Sequence, residues 1–194
     1  MTDAGQGFVD WDFDGWIGTD ENKFWVRSEG ERLDGETEEA EFWAMYSHNM
    51  AEFWDIQFGL RHDTQPESTS YAVFGFDGLA PYFLETEAHI FFSDDADLSF
   101  RLRQEREFLM TQRIVMHPYY EINLFFHDVP ELGVGAGLSD LEVGLHTMYE
   151  FSHSFGVYID IKYERTFGET SSIATNDGEG IATVVGTVGI NRLF

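Results

Sequence analysis

The sequence predicts an all-β fold, an antiparallel β-barrel of the kind that crosses an outer membrane. Three observations carry that expectation. Apolar and ionisable side chains alternate with a period of two over segments of about ten residues, up to the last residue, Phe194. Connections alternate in length toward the C-terminal end, tight at 109–111 and 152–154, long and rich in Gly, Asp and Glu at 128–137 and 168–180. Aromatic residues make up 16% of a chain with a net charge of −25, natural for interfacial girdles and high for a soluble acidic protein. Strand side chains alternate faces, so each segment has one apolar face and one wet, charged face. In a barrel turned inside out, the first meets lipid and the second lines a lumen.

Eleven strands are expected, at about 8–18, 22–31, 37–47, 53–63, 69–78, 82–93, 97–108, 112–127, 138–151, 155–167 and 181–194. The first carries Trp11 and Phe13. The third turns Glu39, Glu41, Trp43 and Met45 inward, and its partner Asp55, Gln57 and Arg61. The sixth offers Glu85, Glu87 and His89, the seventh Arg101, Arg103, Glu105 and Glu107, and the eighth Arg113, His117, Tyr119, Glu121, Asn123 and His127. In the ninth, Leu141, Val143, Leu145, Thr147, Tyr149 and Phe151 share one face, against Asp140, Glu142, His146, Met148 and Glu150 on the other. Pro118 donates no ladder bond and is expected to mark a bulge in the eighth strand. Met116 is expected to face lipid as apolar filling. No helical periodicity, internal repeat or linker stands out. Residues 1–9 read as a tail and 10–194 as the barrel.

An odd count does not close antiparallel. If Phe194 ends a strand running toward the periplasm, the first strand runs the same way. Either one strand is wrongly divided or one is missing upstream. The second reading gives a twelve-stranded parent barrel.

Composition narrows the partners. The 36 acidic against 11 basic residues exclude nucleic acid and an anionic membrane surface, and they attract cations. Solubility or salt adaptation is the bland reading of the same charge. Cysteine is absent, so no disulfide or thiolate site exists. The longest uncharged run, Gly180 to Asn191, is far short of the roughly 18–20 apolar residues of a membrane-spanning helix. Met1 opens directly onto Thr2-Asp3-Ala4-Gly5 without a signal peptide, so a mature product or a fragment is expected.

The run Gly18-Thr19-Asp20-Glu21-Asn22-Lys23-Phe24-Trp25-Val26-Arg27-Ser28-Glu29-Gly30-Glu31 resembles the opening of the barrel domain of the copper resistance protein B family. Phe53-Trp54-Asp55-Ile56-Gln57-Phe58-Gly59-Leu60-Arg61-His62-Asp63 and Gly78-Leu79-Ala80-Pro81-Tyr82 extend the likeness. So do Leu109-Met110-Thr111-Gln112-Arg113, Glu121-Ile122-Asn123-Leu124, Gly133-Val134-Gly135-Ala136-Gly137-Leu138-Ser139-Asp140 and Tyr163-Glu164-Arg165-Thr166-Phe167-Gly168. The resemblance implies an outer-membrane protein of Gram-negative bacteria that handles copper ions. Its implied partners are copper, outer-membrane lipid and periplasmic copper-resistance proteins. Family members usually carry a Met- and His-rich N-terminal extension and a strand-like segment ahead of the part matching Trp11. Neither is present in this sequence, which fits the odd strand count.

Turn geometry gives a register. Around 93–97, His89 falls opposite Arg101 and Glu87 opposite Arg103. Around 152–154, His146 falls opposite Asp160, Met148 opposite Tyr158, and Glu142 opposite Glu164. Glu87–Arg103 and Glu39–Arg61 are expected to neutralise the lumen wall. Copper(II) favours imidazole with oxygen donors, and copper(I) favours thioether with imidazole. The expected metal set is therefore His89, His117, Glu121, His146 and Met148, a weak, exchangeable copper site. His48 and His153 are expected in solvated turns.

No enzyme is expected. His153-Ser154 are strand neighbours that point apart, and His62 and Ser68 flank a loop without a third partner. The expected function is copper binding or passage through an acidic lumen. The alternatives are a structural anchor for a missing copper-binding extension, an outer-membrane acyl hydrolase, and a soluble acidic β-sandwich or lipocalin-like barrel with its apolar residues inside.

Overall fold

A computed structural model describes residues 8–33, 35–152, 154–178 and 180–192. Twelve strands form in chain order: β1 (Phe8–Gly18), β2 (Asn22–Leu33), β3 (Glu36–Ala51), β4 (Trp54–Gln65), β5 (Thr69–Ala80), β6 (Leu84–Ser93), β7 (Leu98–Glu105), β8 (Phe108–Leu109), β9 (Ile114–Phe125), β10 (Gly137–Ser152), β11 (Phe155–Thr166) and β12 (Ala182–Arg192). Among the described residues an α-helix, α1 (Gly168–Asp177), joins β11 to β12, and a single 3-10 turn (Pro130–Leu132) lies between β9 and β10. The pairing order follows the sequence from β1 to β12, with the two-residue β8 beside β9 off the path. All eleven expected strands are present; β8 is the addition.

The chain divides into two compact units. The first comprises residues 1–77 and 89–98, the second residues 78–88 and 99–194.

In the first unit, alternation on β3 leaves Phe42 48% exposed while Trp43 is 3% and Met45 1%. Phe58, Leu60, Phe74 and Phe92 are exposed in the same manner. Trp43, Met45, Tyr71, Val73 and Phe91 pack on the opposite face as an apolar cluster, with Trp25 at its margin. That face is therefore not simply charged: β3, β5 and β6 contribute an aromatic core to it. Arg61 stands in this core. Its Nη2 lies 2.8 Å from Glu41 Oε1, and its Nε donates to Asp63 Oδ1 at 2.7 Å. Its guanidinium lies over Tyr71 at 4.9 Å, Phe91 at 5.0 Å and Trp43 at 5.5 Å. Trp43 Nε1 donates to Glu41 at 3.0 Å. Arg61, expected against Glu39, thus grips Glu41 and Asp63. The shift at Asn49/Ala51 is the reason: it sets Trp43 opposite Arg61 and Glu41 opposite Asp63, so Glu41 stands one diagonal step from the guanidinium.

In the second unit, Val143, Ile159, Ile161, Val184, Val188 and Ile190 are exposed. His117, Glu121, Glu142, His146, Asp160, Lys162 and Glu164 share the other face, half-buried, with Glu121 paired to Arg101 and Lys162 to Glu142 and Glu164. Apolar residues outward and titratable ones on the protected face is the arrangement expected for contact with lipid. It overturns the soluble alternative, which needs Ile159 in a dry interior; Ile159 is 54% exposed. No described helix is long and apolar enough to cross a membrane.

Two expectations in this unit change. Pro118 pairs with Leu145 inside the stretch from Asp140 to Tyr149 where the β9–β10 register does not shift, so no bulge forms there on that side. Its ring nitrogen faces instead the gap between Glu105, the last residue of β7, and Phe108, where β8 resumes. Only its carbonyl is used there, accepting from the Arg106 amide at 3.1 Å. The link at 168–180, expected without structure, contains α1. Gly178 ends it in the left-handed conformation (φ 84°). Thr170 and Ala174, one turn apart, are its buried positions, and Thr170 Oγ1 accepts from the Gly135 amide at 3.0 Å.

Candidate metal centre

The side chains of interest stand on β9, β10 and β11, whose register the sequence anticipates. His146 pairs with Asp160, Met148 with Tyr158 and Glu142 with Glu164, as the tight turn requires. On the other side, His146 pairs with His117 and Glu142 with Glu121. Directly opposed residues on one face are close enough to interact.

The two imidazoles meet edge to face, with ring centroids 6.0 Å apart. His117 Nδ1 lies 3.5 Å from Glu105 Oε1. His146 Nδ1 lies 3.8 Å from Asp160 Oδ1, and its ring is tilted against Tyr158 at 4.5 Å. Tyr119 donates to the other Asp160 oxygen, Oδ2, at 3.1 Å. That leaves Asp160 Oδ1 buried without a hydrogen-bond partner. A buried acceptor without a donor is rare in folded proteins. Donors 3.8 Å apart can share one ion at the roughly 2.0–2.2 Å typical of zinc with imidazole or carboxylate.

The remaining expected residues fall into different surroundings. Glu121 is two residues from His117 along β9. Its carboxylate lies 3.3 Å from Arg101 Nε and 3.8 Å from Arg103 Nη1, and Asn123 donates to it at 3.1 Å. It therefore anchors the two arginines, and Glu105 takes the place beside His117. Met148 leans over Gly156: a Cβ there would stand 3.2 Å from its sulfur. His89 belongs to the first unit and is 2% exposed. Its Nε2 lies 2.9 Å from Gln57 Oε1, and its ring stands edge-on to Trp43 at 5.6 Å. Among the described residues no group of three or more His, Asp or Glu is gathered to hold a metal. The second unit offers instead two imidazoles, each beside one carboxylate.

Glu105 and Asp160 are the partners that spacing within a single strand could not reveal. Asp160 was legible from the tight turn. Glu105 was not, because the link from β7 to β9 is eight residues long and contains β8.

Of the two histidines near a serine, His62 lies among the described residues. His62 Nδ1 lies 3.0 Å from Ser70 Oγ, not Ser68, in an exposed cross-strand contact. His153 lies outside the described residues. His48 is exposed, with Nδ1 3.0 Å from Asn22 Oδ1.

Comparison with known proteins now adds to the geometry. The model of a family described as copper resistance protein B precursor (CopB) matches residues 1–194. A protein named copper resistance protein B from Escherichia coli is 38% identical over 185 residues, covering 95% of this chain and 62% of its own length. A copper resistance protein B homolog from Pseudomonas syringae pv. tomato (strain ATCC BAA-871 / DC3000) is 36% identical over 185 residues, covering 95% and 63%. The chain thus spans less than two thirds of the length of these relatives. Among solved structures, the NanC porin superposes with a TM-score of 0.66 at 8% identity, covering 97% of this chain and 98% of its own. The KdgM porin gives 0.57 at 11% identity, covering 97% and 99%. At such identities the likeness concerns the fold alone, and the fold is a porin-type antiparallel β-barrel.

Proposed function

The chain belongs to the copper resistance protein B family, and from that premise we propose that it is an outer-membrane barrel that binds copper ions on its interior face and lets them pass. In a barrel of this type the polar face lines the interior and the apolar face meets lipid. The family and the porin-like neighbours fit a barrel without catalytic chemistry.

One observation carries the reading. Asp160 Oδ1, buried and without a hydrogen-bond partner, lies 3.8 Å from His146 Nδ1, in register with His117. Imidazole nitrogen with carboxylate oxygen is a donor set that copper(II) accepts. The net charge of −25 concentrates cations near the wall, and a site with few fixed donors releases what it binds. Arg101, Arg103 and Lys162 divide the carboxylates. They hold Glu121, Glu142 and Glu164 in ion pairs, Arg103 also reaches Glu105 Oε2 at 3.7 Å, and Asp160 Oδ1 beside His146 is the oxygen offered to the ion.

The test is copper(II) titration of the refolded chain in detergent, read by electron paramagnetic resonance. The expected result is a signal with nitrogen coupling that disappears in the His117→Ala/His146→Ala double variant, with affinity falling at least tenfold. Unchanged binding in that variant would remove the interior site and leave the barrel a scaffold.

A further inference from the structure

Reading β10 along its polar face gives Asp140, Glu142, Gly144, His146, Met148 and Glu150 at steps of two residues, roughly 7 Å each. The neighbouring strands keep the same order. On β9 the sequence of partners is Asn123, Glu121, Tyr119, His117; on β11 it is Thr166, Glu164, Lys162, Asp160, Tyr158. Carboxylates stand at the end nearer the long link 126–136; toward the tight turn after Ser152 come the imidazole of His146 and then the thioether of Met148, with Glu150 beyond it.

The sulfur end has a shape of its own. Gly156 is buried, and its missing Cβ leaves the notch into which Met148 leans, 3.2 Å from where that Cβ would be. Tyr158, opposite Met148, holds the His146 ring at 4.5 Å. Imidazole and thioether therefore stand two residues apart on one face. Soft monovalent d10 ions take that pair; copper(II) prefers nitrogen with oxygen. We propose that His146 and Met148 form a station for monovalent soft cations, copper(I) or silver(I), set one step along the strand from the copper(II) position between His146 and Asp160. This rests on the reading of the interior face as a copper path and adds to it the oxidation state taken at its sulfur end.

Silver(I) is the probe, because it does not change oxidation state and the chain has no cysteine to compete for it. The refolded chain, Met148→Leu, and Gly156→Ala, which displaces the thioether without deleting it, are titrated with silver(I) against a chelator and separately with copper(II). Met→Leu conserves volume and is tolerated in packed sites. Both variants are expected to bind silver(I) at least tenfold more weakly and copper(II) within twofold of the parent. Met110→Leu, at a residue 61% exposed in the link before β9, is the control and is expected to change neither. Silver(I) binding unchanged in Met148→Leu would overturn the proposal, as would an equal loss of both ions. The outcomes separate from the earlier reading: copper(II) bound through the histidines with silver(I) indifferent to Met148 removes the soft station alone. Copper(II) binding that survives the double histidine variant removes the reading beneath it.

Discussion

Arg61→Ala is expected to lower the unfolding free energy by about 3–5 kcal/mol, the range for removing one partner of a buried ion pair. Glu41 and Asp63 would both lose their guanidinium, Glu41 at 2.8 Å and Asp63 at 2.7 Å, and each is less than 10% exposed. Uncompensated buried charge dominates the effect. The three rings facing the guanidinium at 4.9–5.5 Å add their own loss. Arg61→Lys keeps the charge but not the fork, so it should recover only part of the stability. Adding Asp63→Asn to Arg61→Ala should recover part as well, because one orphaned charge disappears. Urea unfolding of the refolded chain in micelles, followed by tryptophan fluorescence, measures all three. A loss below about 1 kcal/mol, the level of an exposed pair, would show that the first unit does not depend on this cluster.

Gly144→Val is expected to damage stability and copper binding together. Gly144 faces Tyr119 across the β9–β10 ladder, and a Cβ there would be driven into the phenol ring. Overpacking of this kind costs about 1–3 kcal/mol. Expelling the ring also breaks the Tyr119–Asp160 hydrogen bond of 3.1 Å and removes the surface beneath Arg103, which lies 4.8 Å from the ring. Asp160 then loses the contact that aims its free oxygen at His146. Copper(II) affinity should fall with stability, and Tyr119→Leu added to Gly144→Val should restore the stability but not the affinity. Restoration of both would mean that Tyr119 does not orient Asp160.

The strands are legible because a porin-type barrel keeps one face of each strand apolar. Phe42, Phe58, Val143 and Ile159 must be apolar if they meet acyl chains, and the backbone pleat then places Trp43, Gln57, Glu142 and Asp160 on the other side. Register is legible at the turn that joins β10 to β11. The tight turn after Ser152 fixes the partners of His146, Met148 and Glu142, and all three were read correctly. It was not legible where the chain shifts or detours. The shift at Asn49/Ala51 sets Arg61 opposite Trp43 and Asp63 opposite Glu41. The eight-residue link before β9 hid Glu105, and Pro118, read as a bulge, turned out to face a break in the neighbouring strand. The helix after β11 gave no periodic signal, because Thr170 and Ala174 bury only a narrow stripe.

The sequence by itself determined which way each strand faces, since alternation is a local property of an extended chain. It also determined the family through its motifs and the donor types available for a metal. Only the tertiary structure decided which of those donors are engaged: Glu121 by two arginines, His89 by Gln57 beside Trp43, Asp160 by Tyr119 through one oxygen alone. Whether a carboxylate or imidazole keeps a free atom depends on neighbours brought from other strands, and their placement follows from bulges, breaks and glycine gaps with no periodic trace in the chain.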